Sequence, residues 1–274
     1  MELHFLGTGG GRFAMTTQKR RTAGIRLVKG ETQVHVDPGP GALVFSNWAG
    51  LGPQKLDAVV VTHCHPDHYG DAEVFIEAMT HGTTSKRGLL AATCSVLWGS
   101  DGVGPGVSAY HRGLVGEVVE MRSGTEFSVN DLRFTATEAK HSDPATVGLL
   151  MRTPGQGIVG YTSDTGYFEE LGSIYRGTRL LVLCVMWPRA QHLEKHLSTD
   201  EAEKILLDAR PGCAVITHFG VRMLNAGPEK EAAHLQEATG VPVVAAVDGL
   251  KAVLGDQIVF QGPRKSDKPT TVDA

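Results

Sequence analysis

The chain has 274 residues, 41% of them hydrophobic and 20% charged, and a formal net charge of −4. This is an ordinary composition for a soluble globular protein, and the acidic balance argues against non-specific binding along nucleic acid. Its longest apolar run, Leu180 to Trp187, is far too short to span a bilayer.

In chain order, the N-terminus shows neither a basic region nor a long apolar core, so no signal peptide is read there. Residues 2–6 are predicted as a first strand, leading into Gly7-Thr8-Gly9-Gly10-Gly11. This run lacks the Lys-Ser/Thr of a phosphate loop, places Arg12 where a dinucleotide fingerprint needs a third glycine, and is followed by no helix pattern. It reads as a tight, flexible turn that a ligand can approach. Arg12, Lys19, Arg20, Arg21 and Arg26 form a basic segment, read as a solvated loop, with a grip on substrate phosphate as the alternative. Residues 22–28 and 32–36 are predicted strands around the Lys29-Gly30 turn, the second running into Asp37.

Val59 to Val61 read as a strand buried on both faces. His63, His65, Asp67 and His68 follow it directly. A single histidine would read as a hydrogen-bonded structural residue. Four imidazole and carboxylate groups in six positions instead supply the ligand types of zinc and its first-row neighbours. Cys64 lies between two of them and is expected to point away from the metal. Asp71 to Met79 is predicted as a helix, with Asp71 as its cap and Val74, Phe75 and Ala78 on one face.

Residues 88–93 read as a strand. Trp98 to Gly113, with five glycines and one proline, reads as a long, ordered surface loop, with contact of Tyr110 and His111 to a substrate as the alternative. Predicted strands at 115–120, 126–129, 131–137, 146–151 and 157–162 bring in His141 and Asp164 at strand ends. After the apolar run Leu180 to Met186, Ser198 and Glu201 form a capping box for a helix with Ala202, Ile205, Leu206 and Ala209 on its apolar face. Ala214 to Thr217 is a strand leading to His218. Pro228 and Gly240 bracket another helix, residues 242–247 and two short strands complete the fold, and residues 263–274 read as a polar, flexible tail. The four cysteines, Cys64, Cys94, Cys184 and Cys213, form no C-x-x-C pair, which fits a reduced, cytoplasmic protein.

The motif His63-x-His65-x-Asp67-His68 resembles the signature of the metallo-β-lactamase fold, a superfamily of mostly dinuclear hydrolases. The resemblance covers about residues 1–262. It implies an α/β, layered α+β architecture: one four-layer αβ/βα sandwich with a metal site at one edge. It implies two divalent ions, zinc by preference, with Mn²⁺ or Fe²⁺ also suited to an all-histidine and carboxylate set. One would take His63, His65 and His141, the other Asp67, His68 and His218. Asp164 would bridge the pair, and Asp37 would support the metal loop from behind.

Lys195-His196-Leu197-Ser198-Thr199, with Thr217-His218-Phe219-Gly220 further on, resembles the phosphodiesterase branch. That branch includes ribonuclease Z and the phosphoribosyl cyclic phosphate phosphodiesterases. The resemblance implies that His196 contacts the phosphate and acts in catalysis beside Asp67. The expectation is hydrolysis of a small or cyclic phosphodiester, either a small molecule or a short nucleotide, through a metal-bridging hydroxide.

The long arm with which ribonuclease Z clamps transfer RNA lies between the third histidine ligand and the bridging aspartate. Here His141 and Asp164 are only 23 positions apart, which leaves no room for it. Some cyclic phosphate enzymes carry an N-terminal cysteine cluster for a structural zinc, and no cysteine precedes Cys64. The alternatives are an armless RNA endonuclease and a lactone, thioester or β-lactam hydrolase of the same fold. A non-catalytic scaffold is least favoured, because every ligand position is filled. No membrane partner or extended nucleic-acid contact is expected, and a homodimer is compatible with the family.

Overall fold

The computed structural model describes residues 1–100 and 102–263; residues 264–274 of the expected tail lie outside that range. Strands β1 (Glu2–Phe5), β2 (Ile25–Lys29), β3 (Thr32–Val36), β4 (Ala58–Val61), β5 (Leu89–Thr93) and β6 (Glu117–Met121) come from the first half. They are followed by β7 (Glu126–Val129), β8 (Leu132–Glu138), β9 (Val147–Thr153), β10 (Gly157–Tyr161) and β11 (Leu180–Trp187). The last are β12 (Leu197–Ser198), β13 (Cys213–Thr217), β14 (Val243–Ala245), β15 (Leu250–Leu254) and β16 (Ile258–Gln261). One sheet has the order β16-β15-β1-β2-β3-β4-β5-β6, and the other β14-β13-β11-β10-β9-β8-β7, with β12 added beside β11.

Three apolar clusters define the layers. The largest joins the inner faces of the two sheets through Phe5, Leu27 and Val60 on one side and Phe134, Leu149 and Val182 on the other. A second packs helix α8 (Thr199–Ala209) and helix α10 (Pro228–Thr239) on the outer face of the second sheet. The third packs α2 (Ala42–Trp48) and α4 (Ala72–Met79) on the outer face of the first. Three buried interfaces make four layers, the expected αβ/βα sandwich. Covered on both sides, the strands Ala58–Val61 and Cys213–Thr217 are buried throughout, which explains their continuous apolar runs. No helix among the described residues is long and apolar enough to cross a membrane.

Several local expectations need correction. A short helix, α1 (Gly11–Thr17), does follow the glycine run. Arg26 is not on a solvated loop but on β2, where it is fully buried and donates to His35 Nδ1, Gln33 Oε1 and Ser46 Oγ. On α4 the buried face is Ala72, Phe75, Ile76 and Met79, while Val74 is exposed. Asp71 is the N-cap residue of α4 as expected, but its side chain makes no capping hydrogen bond there; the carboxylate accepts from Leu43 N at the start of α2 instead. The second half of the expected 98–113 loop is a helix (Ala109–Leu114), capped by Ser108. Tertiary packing decided each of these, and a short window of sequence does not record it.

Candidate metal centre

The site is assembled from the carboxyl ends of strands in both sheets. β3 delivers Asp37, and β4 delivers the loop with His63 and His65, followed by α3 (Pro66–Tyr69) with Asp67 and His68. β8 is followed by His141, β10 by Asp164, β11 by the segment carrying His196, and β13 by His218. Four non-glycine residues here hold positive φ: Asp37 at 56°, Ser163 at 53°, Lys195 at 73° and His218 at 62°. Such backbone is costly and persists where the surroundings over-determine it, as at functional sites.

All seven predicted ligands converge. His63 Nε2, His65 Nδ1 and His141 Nε2 form one group, with contacts of 3.0 and 3.1 Å to the His65 nitrogen. His68 Nε2 and His218 Nε2 form the second, 3.1 Å apart, and lie 3.8 and 3.4 Å from Asp67 Oδ2. Asp164 stands between them. Its Oδ2 faces His141 at 3.8 Å, while its Oδ1 faces His218 at 3.2 Å and His68 at 3.7 Å. One carboxylate oxygen is thus turned to each group, as a bridge requires.

The outer contacts hold these donors in place. Asp37 accepts from Thr62 N, Thr62 Oγ1, His68 Nδ1 and Tyr161 OH, all between 2.8 and 2.9 Å. The expected support of the metal loop by Asp37 is therefore a fourfold hydrogen-bond anchor. His141 Nδ1 donates to the Lys195 carbonyl at 2.8 Å, which fixes its other nitrogen toward the site and ties it to the His196 segment. Gly11 N donates to Asp67 Oδ2 at 2.7 Å. Gly10 packs flat on His218: a Cβ at that position would meet the imidazole at 2.2 Å.

The electrostatics fit divalent cations. Burial pushes His63, His65 and His141 toward the neutral, lone-pair-bearing form, His141 down to about 4. Burial would raise the carboxyls of Asp67 and Asp164, but the nearby histidines outweigh it and hold both below the usual range. At His68 burial is outweighed by Asp164, Asp37 and Asp67, which draw positive charge there. Asp164 Oδ1 is buried without a hydrogen-bond partner. Ring nitrogens about 3 Å apart, converging carboxylates and an orphaned acceptor make a donor set that a cation satisfies and hydrogen bonds alone do not.

His196 lies at the rim, half-buried, with Nδ1 3.7 Å from Asp164 Oδ2 and its ring 4.9 Å from that of His141. Burial lowers its pKa, with Asp164 opposing. The Cys64 thiol is buried, pushed up to about 11 by that burial, and packs toward Gly104 and Gly106 on the far side of the loop. His111 pairs with Glu73 and Glu77, and Tyr110 is exposed. Sequence reading missed Asp248, which accepts from Thr8 N, Thr8 Oγ1 and Arg21 N and pins the glycine turn against the site. Its partners are more than 220 positions away, so no local pattern announces it.

Residues 32–219 match the family model described as the beta-lactamase superfamily domain. The chain belongs to the beta-lactamase superfamily. Its His/Asp cluster fits the metal-dependent hydrolases of that superfamily. The protein MJ1374 of Methanocaldococcus jannaschii is 37% identical over 256 residues, spanning 93% of this chain and 95% of that relative. A ribonuclease Z of Mycolicibacterium paratuberculosis is 28% identical over 84% of this chain and 90% of its own. Among solved structures, the metallo-beta-lactamase fold protein YhfI from Bacillus subtilis superposes with a TM-score of 0.75. It does so at 19% identity, over 91% of this chain and 98% of YhfI. That likeness concerns the fold.

Proposed function

We propose that this superfamily member is a dinuclear metal-dependent phosphodiesterase acting on a small or cyclic phosphodiester. The observation that carries the reading is the pair of ligand groups sharing Asp164, with His196 at their open rim. Zinc is the favoured ion, and Mn²⁺ or Fe²⁺ suits the same donors. Bound there, two divalent ions would supply Lewis acidity, lowering the pKa of water and neutralising charge on a phosphoryl group.

The chain's own residues do the rest. Asp67, fixed by the Gly11 N–H and kept ionised by its histidines, orients the attacking water by accepting its hydrogen. His196 hydrogen-bonds a phosphoryl oxygen and passes a proton to the departing alkoxide. Lys195 links this residue to His141 through its carbonyl, so the proton donor and the ligand set move as one unit.

The likeness to ribonuclease Z supports phosphodiester chemistry rather than transfer RNA as the substrate. Between His141 and Asp164 the chain forms the β9–β10 hairpin, and no arm extends from it. The unpaired thiols support a reducing, cytoplasmic setting.

The test is turnover of bis(p-nitrophenyl) phosphate by metal-loaded protein, with a β-lactam and a lactone alongside. Diester hydrolysis that collapses in Asp67→Ala supports the reading. Hydrolysis of the lactone or β-lactam alone overturns it and leaves a superfamily hydrolase of another class.

A further inference from the structure

The basic segment of the sequence is divided by the fold. Arg26 is buried, Arg20 donates to Thr8, and Arg21 lies over the Phe45 ring. Arg12 and Lys19 are left on the surface, and among the described residues no hydrogen bond or ion pair engages either side chain. Both line a cavity of about 440 Å³ beside the metal centre, within the ~300–1,000 Å³ range of small-molecule sites. Its floor is aromatic and aliphatic, with Phe13, Met186 and Trp187, and its third cation is Arg222, whose guanidinium lies 5.0 Å from the Trp187 ring centre. Among the described residues no acidic side chain lines it.

Phe13 is 77% exposed, more than any other large hydrophobic side chain among the described residues. An aromatic left in water beside unpaired cations is the arrangement that stacks a planar anionic ligand. The cavity also adjoins the reacting position. Gly10 forms part of its wall and packs on His218, and the next residue, Gly11, donates to Asp67. A two-glycine ribbon is therefore the partition between the cavity and the second ligand group.

We propose that this cavity is a specificity subsite for a ring-bearing, anionic esterifying group, such as a nucleoside with a further phosphate. The ring lies against Phe13 and Trp187, and its charge faces Arg12, Lys19 and Arg222. This inference rests on the phosphodiesterase reading and narrows it to nucleotide-like or aryl diesters over aliphatic ones.

Two esters that release the same p-nitrophenolate separate the claims: the 5′-p-nitrophenyl ester of thymidine 3′,5′-bisphosphate, whose free 3′-phosphate supplies the anion, and methyl p-nitrophenyl phosphate. The kcat/KM of the thymidine ester is expected to exceed that of the methyl ester by about tenfold or more. In Phe13→Ser, and in Arg12→Ala combined with Lys19→Ala, that ratio falls to within about threefold, as expected for loss of one stacking or charged wall. Equal rates on both esters, or a ratio that Phe13→Ser leaves intact, overturn the subsite while the phosphodiesterase reading stands. If neither ester is cleaved, that reading fails and tryptophan emission decides the cavity. Saturable quenching by thymidine 5′-phosphate that Phe13→Ser abolishes supports the subsite, and no quenching overturns it.

Discussion

Asp37 Oδ2 accepts a hydrogen bond from His68 Nδ1 at 2.9 Å, so the strand before the His63–His68 loop sets the orientation of a candidate ligand on that loop. The same carboxylate holds Thr62 and Tyr161. Replacing Asp37 by alanine removes the anchor while leaving every donor of the cluster in the chain. Metal affinity is expected to fall by about 10–100-fold, read by titration against a fluorescent chelator. Unchanged affinity would show that His68 does not depend on Asp37.

Gly10 is constrained by the ring lying on it. In Gly10→Ala the new methyl must displace His218 or move the turn, because its position is 2.2 Å from the imidazole. Overpacking of this kind costs about 1–3 kcal/mol. The variant is expected to melt lower and to retain less metal than the native protein after dialysis. Native metal content and native melting together would contradict the packing described.

His196 stands outside the seven-ligand set. His196→Ala is expected to lower kcat on a diester by about 10²–10⁴-fold, the range for loss of a general acid. Metal content by elemental analysis should be unchanged. If the substitution instead strips metal, His196 is a ligand, an outcome that its place beside His141 and Asp164 makes worth measuring.

Ser198 closes the helix that follows His196. Its Oγ accepts from Glu201 N, and Glu201 Oε2 accepts from Ser198 N in return at 2.8 Å. Ser198→Ala is expected to cost about 1 kcal/mol, seen as a lower urea midpoint with an unchanged slope. No change in the midpoint would mean that the rest of α8 carries its own start.

The fold was legible where a segment's environment is uniform. β4 and β13 are covered on both faces and read as continuous apolar runs, and α8 carries both its capping box and its apolar stripe. The candidate ligands were legible as a cluster because chemistry concentrates them: few environments other than a metal centre gather His63, His65, Asp67 and His68 in six positions. What stayed hidden was set by distant partners. The buried Arg26 looks like its exposed basic neighbours until His35 and Gln33 are folded around it. Asp71 sits where a cap is expected, yet spends its carboxylate on another helix. The glycine turn was read as one that a ligand can approach, but its contacts with Asp67 and His218 arise only once distant strands are folded together.

The central claim is that this cluster holds two metal ions and uses them to cleave a phosphodiester. It is tested most directly by stripping the protein with chelator and titrating Zn²⁺ or Mn²⁺ back while following bis(p-nitrophenyl) phosphate hydrolysis. The account predicts no turnover in the stripped protein and a plateau at about two equivalents, one for each ligand group around Asp164. Turnover without metal, or full turnover at one equivalent, would contradict it.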